Sequence, residues 1–239
     1  LIAETGGMNA MIVDSSALTE QVVVDVLASA FDSAGQRCSA LRVLCLQDEI
    51  ADHTLKMLRG AMAECRMGNP GRLTTDIGPV IDSEAKANIE RHIQTMRSKG
   101  RPVFQAVREN SEDAREWQSG TFVAPTLIEL DDFAELQKEV FGPVLHVVRY
   151  NRNQLPELIE QINASGYGLT LGVHTRIDET IAQVTGSAHV GNLYVNRNMV
   201  GAVVGVQPFG GEGLSGTGPK AGGPLYLYRL LSSRPQDAV

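Results

Sequence analysis

The residue best suited to chemistry in this sequence is Cys38, which lies in the stretch 33–43 between a periodic apolar segment and a short apolar run. Gly35 breaks the helical periodicity just before it, so we expect the thiol on a turn between two packed elements. The cationic side chains of Arg37 and Arg42 are expected to favour the thiolate, which is the nucleophilic form. The pattern alone leaves a second interpretation open, because unpaired cysteines are most often small core residues.

Two glutamates stand in settings that suit a functional carboxylate. Glu4 is followed by Gly6 and Gly7, and paired glycines let the backbone approach a ligand closely. In a partly apolar crevice its pKa would rise towards neutrality, as a general base requires. Glu139 precedes Gly142-Pro143, a stiff turn that would fix its position. A solvated acid at a strand end and a capped turn are the ordinary alternatives for these two positions.

A glycine- and proline-rich segment, residues 201–224, shows no periodicity. A long irregular segment in a compact domain is usually a functional loop. It contains Gly211-Glu-Gly-Leu-Ser-Gly216, which has the spacing of a dinucleotide-binding fingerprint, but that motif works only between a strand and a helix N-terminus. Because Pro208, Pro219 and Pro224 surround it, we predict tight turns instead of a nucleotide loop.

The composition argues against several classes of protein. The 239 residues carry a net charge of −7, whereas a nucleic-acid-binding face normally has a basic excess. No apolar run approaches the length of about 18 residues that a membrane span needs. Three cysteines without short spacing fit a reducing, cytoplasmic location better than a disulfide framework. The five histidines lack the spacing of metal ligands, so no metal site is predicted.

Strand-like and helix-like segments alternate along the chain, which predicts an α/β fold with a mainly parallel sheet and helices on both faces. The predicted helices are 17–34, 48–65, 83–98, 155–163 and 178–187. The predicted strands are 43–46, 102–107, 122–128, 144–150, 169–175 and 191–195, with residues 1–3 as the end of an earlier strand. Because ligand-binding turns of such sheets lie at the carboxyl ends of their strands, we expect Cys38 at that edge.

Four motifs in this order resemble the aldehyde dehydrogenase superfamily: Glu4-Thr-Gly-Gly, Gly35-Gln-Arg-Cys38, Glu139-Val-Phe-Gly-Pro, and Pro208-Phe-Gly-Gly211 with Ser215-Gly216. The separation of 34 positions from Glu4 to Cys38 suits that family's base and nucleophile. The stretch 195–224 is similar to the L-glutamate γ-semialdehyde (Δ1-pyrroline-5-carboxylate) dehydrogenase branch of proline catabolism. Within it, the likeness is greatest to bifunctional bacterial proteins whose upstream domain is an FAD-dependent proline dehydrogenase.

The resemblance implies an NAD-dependent oxidation in which Cys38 forms a thiohemiacetal and then a thioester. Glu4 would activate the water that hydrolyses the thioester. On the cofactor side, Glu139 would hold the nicotinamide ribose and Phe141 would pack beside it. Thr5 and Gly6 also match positions that bind the cofactor in this family.

The resemblance further implies a site for the carboxylate of glutamate γ-semialdehyde. Ser39 and the amides of Gly201 and Ala202 match the positions that hold it, and amides of a glycine-containing loop can form an anion nest. Arg37 would add positive charge, and Phe209 would line the aliphatic chain of the substrate.

By the same resemblance, residues 1–5 end a strand of the cofactor domain, residues 6–224 form the catalytic domain, and residues 225–239 are a tail with part of an oligomerisation segment. A homo-oligomer is therefore expected. The family's Rossmann-like domain and an oxyanion-stabilising asparagine precede the position of Glu4. We therefore expect residues 1–239 alone to bind NAD⁺ weakly or not at all and to show no turnover.

Three other interpretations remain open at this point. A dehydrogenase for another semialdehyde, such as succinate semialdehyde, is disfavoured by the loop at 201–207. A cysteine hydrolase or acyltransferase would need a histidine partner for Cys38, and none lies near it in sequence. A structural or dimerisation module would need no reactive thiol.

Overall fold

The computed structural model describes residues 1–106 and 120–231. Its strands are β1 (Ala10–Val13), β2 (Val43–Gln47), β3 (Val103–Gln105), β4 (Thr126–Leu130), β5 (Val144–Tyr150), β6 (Tyr167–Gly168), β7 (Thr170–His174), β8 (Asn192–Val195) and β9 (Glu212–Gly213). Its helices are α1 (Thr19–Phe31), α2 (Asp48–Glu64), α3 (Ser83–Ser98), α4 (Leu155–Ala164) and α5 (Asp178–Ser187). None of these helices is long and apolar enough to cross a membrane.

Seven of the strands form one sheet, in the order β3-β4-β5-β2-β1-β7-β8. Every neighbouring pair is parallel except β3 with β4. Right-handed crossovers place helices that connect strands in opposite directions on opposite faces of a sheet. Since α1 leads from β1 towards β5 while α4 and α5 lead back towards β8, the sheet is covered on both faces. The predicted fold class is confirmed.

The core is built on the central strands. All residues of β1 and the first four of β2 have no exposed surface, as expected for strands of a parallel sheet that is covered on both sides. Helix α2 contributes one apolar stripe, with Ala51, Leu55, Leu58 and Met62 buried at helical spacing. The rigid sheet therefore fixes the loops that lead into its strands.

The predicted elements differ from the structure in several places. Strand β1 was not predicted, and residues 1–3 are not in a strand; Ala3 instead pairs with Thr217 in the glycine-rich segment. The helix predicted at 17–34 is α1, which ends at Phe31, because Ser33 and Ala34 leave the helical conformation. The strand predicted at 122–128 begins only at Thr126, since Pro125 has no N–H to donate to a ladder. Of the strand predicted at 102–107 the structure has Val103–Gln105, and residue 107 and the tail 232–239 lie outside the described residues.

The predicted location of Cys38 at the carboxyl edge of the sheet is wrong. Cys38 precedes β2, and a turn that leads into a strand meets that strand at its amino end. Gly6 and Gly7 likewise precede β1, and Glu139 precedes β5. The candidate residues therefore share the amino edge of the sheet.

Candidate active site

The backbone before Cys38 turns sharply. Ser33, Ala34 and Gly35 have φ values of 55°, 54° and 66°, a left-handed conformation that residues with a side chain rarely adopt. A Cβ atom on Gly35 would lie 2.2 Å from the carbonyl oxygen of Gly142. Gly35 therefore permits both the turn and the close packing of this loop on the loop before β5.

Asn9 holds the nucleophile's main chain. Its Nδ2 donates to the carbonyls of Cys38 (2.6 Å) and Ala40 (2.9 Å), and its Oδ1 accepts from the Thr170 amide (3.2 Å). Asn9 is buried, so these bonds are shielded from water. The sequence analysis missed this residue; the available signal was a polar side chain directly before a buried apolar strand.

The thiol of Cys38 is accessible to solvent. Partial burial raises the pKa of this thiol and is the largest cause of the shift. The negative charges of Glu139 and Glu4 raise the pKa further. The amides of Ser39 and of Cys38 itself partly oppose this by stabilising the thiolate. Contrary to expectation, Arg37 and Arg42 therefore do not lower the pKa of this thiol below that of a free cysteine, because burial outweighs them.

The positions of the two cations explain that result. Nε and Nη2 of Arg42 both donate to Glu139 Oε1, at 3.0 and 2.9 Å, so the carboxylate neutralises the guanidinium. Nε of Arg37 points to the hydroxyl of Ser33 at 3.0 Å. Arg42 still attracts the charge of Cys38, but this is a smaller influence on Arg42 than burial and Glu139.

Glu4 is placed by antiparallel pairing with the glycine-rich segment. The Thr5 amide donates to the Ser215 carbonyl and the Thr217 amide to the Ala3 carbonyl, each at 3.0 Å. The motif at 211–216 contains the tight turn that was predicted, at Leu214 and Ser215, and Gly216 is followed by bends instead of the helix N-terminus that a phosphate loop needs. Partial desolvation raises the pKa of Glu4, which suits a proton acceptor.

The residues predicted for the cofactor surround Glu139. A Cβ atom on Gly6 would lie 1.7 Å from Glu139 Oε2, so the carboxylate fills the space that a glycine leaves. Phe141 is 45% exposed beside it, and both line a cavity of about 540 Å³ against α3. Thr5 differs from the others, because its hydroxyl donates to the Leu214 carbonyl at 2.5 Å and holds the loop.

A second cavity, of about 630 Å³, brings the predicted substrate residues together. Cys38 lines it with the five residues predicted for the substrate: Arg37, Ser39, Gly201, Ala202 and Phe209. Gln36 lines both cavities, although the sequence analysis did not single it out. Cys38 therefore lines the larger of these two cavities, and Gln36 connects it to the cavity that Glu139 and Phe141 line.

Comparison with known proteins identifies relatives of this chain. Residues 1–234 match the model of the aldehyde dehydrogenase family. The whole chain is 98% identical to the bifunctional protein PutA of Escherichia coli (strain K12), of which it spans 18%.

Two solved structures are similar in fold. A bifunctional proline utilization A (PutA) protein superposes with a TM-score of 0.88 at 54% identity, over 95% of this chain and 22% of the other. A 1-pyrroline-5-carboxylate dehydrogenase from Thermus with bound NAD superposes with a TM-score of 0.82 at 36% identity, over 93% of this chain and 42% of the other.

Proposed function

The chain belongs to the aldehyde dehydrogenase family, and from that membership we propose that it is the catalytic part of an enzyme that oxidises L-glutamate γ-semialdehyde to L-glutamate with NAD⁺. One observation carries the proposal: the thiol of Cys38 opens into the substrate cavity and is close enough to Glu4 and Glu139 for their charges to act on it. The names of the relatives, PutA and 1-pyrroline-5-carboxylate dehydrogenase, supply the substrate class.

The first step is attack of the Cys38 thiolate on the aldehyde carbon. A carbon–sulfur bond forms, and the carbonyl π electrons move to oxygen, giving a thiohemiacetal. Because the pKa of Cys38 is raised in this structure, formation of the thiolate requires transfer of its proton to a base. Glu4 acts on this thiol through its charge and is the carboxylate suited to accept that proton, directly or through water.

NAD⁺, when bound, supplies the acceptor for the hydride that leaves the aldehyde carbon. The residues present fit its nicotinamide ribose. The Glu139 carboxylate is an acceptor for hydroxyl groups, Gly6 leaves room for that carboxylate, and Phe141 offers an exposed ring. Loss of the hydride leaves a thioester on Cys38.

The last step is hydrolysis of that thioester. Glu4 first passes the proton received from Cys38 to solvent. It then takes a proton from water, the water oxygen bonds to the acyl carbon, and the carbon–sulfur bond breaks to release glutamate and the thiolate. A thiolate suits both ends of the cycle, because it is a good nucleophile and a good leaving group.

The substrate assignment rests on the lining of the larger cavity. The positive φ of Gly201 (78°) turns its loop at the rim, and Ser39 and Arg37 supply a hydroxyl and a cation on the opposite wall. A carboxylate held there would direct the aldehyde end of a four-carbon chain towards Cys38. Phe209 provides the apolar wall for that chain.

A cysteine hydrolase fits less well. Such an enzyme needs a histidine hydrogen-bonded to its thiol, and over residues 1–106 and 120–231 no hydrogen bond joins a histidine to Cys38. The buried His146 instead faces the Arg42 carbonyl and His92.

The test is NAD⁺ reduction by the complete gene product that carries this chain, with glutamate γ-semialdehyde compared against succinate semialdehyde and simple aldehydes. We expect the highest kcat/KM with glutamate γ-semialdehyde. Cys38→Ala is expected to lower kcat by a factor on the order of 10⁴ or more. A preference for an aldehyde without a carboxylate and amino group would overturn the substrate, and an active Cys38→Ala variant would overturn the mechanism.

Several further predictions accompany this proposal. Residues 6–224 would form the catalytic domain, preceded by residues 1–5 as the end of the cofactor domain and followed by a tail with part of an oligomerisation segment. The working enzyme would be a cytoplasmic homo-oligomer joined to an upstream FAD-dependent proline dehydrogenase that supplies its substrate. Size-exclusion chromatography with light scattering of the complete gene product would test the homo-oligomer, and its flavin spectrum would test the FAD-dependent domain.

A further inference from the structure

Arg42, directly before β2, has a completely buried side chain. Burying a guanidinium costs several kcal/mol unless its donors find partners, and here all five N–H groups do. Nε and Nη2 donate to Glu139 Oε1, Nη1 donates to the carbonyls of Gly35 (2.7 Å) and Gly142 (3.2 Å), and Nη2 also donates to that of Arg37 (3.2 Å).

These acceptors belong to two loops that the proposed chemistry needs to align. Residues 33–39, the nucleophile loop, carry Cys38, and residues 139–142, the cofactor loop, carry Glu139 and Phe141. The guanidinium carbon also lies 5.1 Å from the centre of the Phe141 ring, in cation–π geometry. One side chain therefore binds both loops at once.

We propose that Arg42 is a positioning residue that fixes the Glu139 carboxylate and the Cys38 thiol relative to each other. Both guanidinium contacts with Glu139 go to Oε1, so Oε2, beside Gly6, is the oxygen that remains free of the guanidinium. The part of the proposal that concerns the cofactor rests on the proposed function, in which Glu139 receives the ribose.

The main chain of Arg42 is held from the other side. Its carbonyl accepts from the His146 amide (2.9 Å) and lies 3.1 Å from His146 Nδ1, whose Nε2 is 2.8 Å from Nε2 of His92. Because a carbonyl can only accept, Nδ1 of His146 carries the proton and Nε2 accepts from His92. Burial lowers the pKa of His146 to about 3, so the ring stays neutral beside the guanidinium.

Stability alone gives little reason for this arrangement. A buried ion pair is weak evidence for stability, since well-packed apolar side chains of similar volume often do as well. A guanidinium, by contrast, presents its donors in a rigid planar array, so the two that converge on Oε1 fix where that oxygen lies. Arg42 therefore defines geometry at the site.

The experiment uses the complete gene product with two readouts that do not depend on turnover. The first is the Kd for NADH, measured by the change in its fluorescence on binding. The second is the limiting rate of Cys38 alkylation by iodoacetamide at pH values above its titration, followed by peptide mass mapping. Arg101→Lys is the matched control, because Arg101 Nε and Nη2 bind Glu135 Oε2 in the same fork, both at 3.0 Å, away from the site.

We expect Arg42→Lys to weaken NADH binding at least tenfold and to change the limiting alkylation rate several-fold, because a lysine cannot bind both loops. Glu139→Gln should weaken NADH binding to a similar degree but leave the limiting rate of alkylation unchanged. The double variant should bind NADH no more weakly than the weaker single variant. Arg101→Lys should match the wild type in both measurements.

Multiplied effects on NADH binding in the double variant, or an unchanged alkylation rate in Arg42→Lys, would overturn the proposal. If the wild type bound no NADH, the proposed function would fail, and the alkylation rate alone would decide whether Arg42 positions the nucleophile loop.

A second pair of variants tests the same proposal even if Arg42→Lys does not fold. Glu139→Asp keeps the charge but withdraws the carboxylate from the fork by one methylene, whereas Glu139→Gln keeps an oxygen within reach of it. If Arg42 sets the position of this group, Glu139→Asp binds NADH more weakly than Glu139→Gln. The reverse order would mean that charge alone matters and would overturn the proposal.

Discussion

At the carboxyl edge of the parallel sheet, polar side chains bind one another beside a cavity of about 210 Å³, whereas at the amino edge Cys38 and Glu139 line cavities of about 630 and 540 Å³. Asp14, directly after β1, accepts from the Ser16 amide (2.8 Å), the Ser16 hydroxyl (2.6 Å) and the Thr175 hydroxyl. Asn196, after β8, exchanges hydrogen bonds with the backbone of Thr175 at 3.0 and 2.9 Å. These groups have little capacity left for a ligand.

The amino edge differs because its loops are held mainly through backbone groups. Asn9 and Arg42 bind carbonyl oxygens of the nucleophile loop, which leaves the thiol of Cys38 accessible. The carboxylate of Glu4 is similarly left exposed by backbone pairing of its neighbours. The edge with reactive side chains is therefore the one at which other residues hold the loops in place.

The largest expected effect is that of Glu4→Gln at the amino edge. An amide cannot accept a proton from water, so kcat should fall by a factor on the order of 10²–10⁴. Because Glu4 is exposed, the denaturation midpoint should stay at the wild-type value. Steady-state turnover and chemical denaturation of the same preparation check both halves, and wild-type turnover would remove Glu4 from the mechanism.

The next largest effect is expected at the carboxyl edge, where Asp14→Ala should lower the free energy of unfolding by about 3 kcal/mol. The change leaves the buried Thr175 hydroxyl and the Ser16 amide without their acceptor, and unpaired buried groups are costly. Urea titration measures the loss, while kcat per folded molecule should be unchanged.

Asp82→Ala is the control for that experiment. Asp82 caps α3 by accepting from the Ala85 amide at 2.7 Å, and it lies on the surface. Its loss should cost only about 1 kcal/mol. Equal destabilisation by the two variants would contradict the difference between the edges.

A third effect, of intermediate size, distinguishes two glycines. Gly6→Ala would place a Cβ atom 1.7 Å from Glu139 Oε2, so the carboxylate must move and the Kd for NADH should rise on the order of tenfold, about 1.4 kcal/mol. Gly60→Ala in α2 meets nothing within 4 Å and should instead stabilise the protein by roughly 0.5–1 kcal/mol. Unchanged NADH binding in Gly6→Ala would mean that Glu139 does not take part in binding the cofactor.

The smallest expected effect is a shift in the pH profile of Cys38 alkylation. Burial and the charges of Glu139 and Glu4 raise the pKa of Cys38, so at a given pH the thiolate fraction is lower than in a free thiol. Glu139→Gln removes one of those charges, so the midpoint should move to lower pH. Glu49→Gln at the carboxyl edge should leave it in place, and a shift to higher pH in Glu139→Gln would contradict the assigned cause.

Much of the site was predictable because its motifs precede strands of one parallel sheet. One cavity is lined by Cys38, Arg37, Ser39, Gly201, Ala202 and Phe209, so these residues lie together, while their roles towards a substrate stay predictions. The edge itself was misassigned, although the order of turn and strand contained the answer: Cys38 comes before β2. The prediction followed the general rule that ligand-binding turns lie at the carboxyl ends of parallel strands and did not use this order.

The rest depended on contacts that a sequence does not display. Arg42 was expected to act on Cys38, its near neighbour in the chain, yet it binds Glu139, which is 97 residues away. The pairing of Thr5 with Ser215 likewise has no local signal. Long-range partners of this kind are decided by the packing of the sheet, so residue type and spacing could indicate the chemistry but not the electrostatics of the thiol.

The pairing of Ala3 with Thr217 has a consequence for protein synthesis. The two residues are 214 positions apart, so at an elongation rate of roughly 5–20 residues per second the ribosome adds the second about 10–40 s after the first. During that interval the nascent chain already contains Cys38, but Glu4 lacks the backbone partners that hold its neighbours in the folded protein. The position of Glu4 is therefore set in one late event, when the glycine-rich segment emerges and joins the two distant parts of the chain.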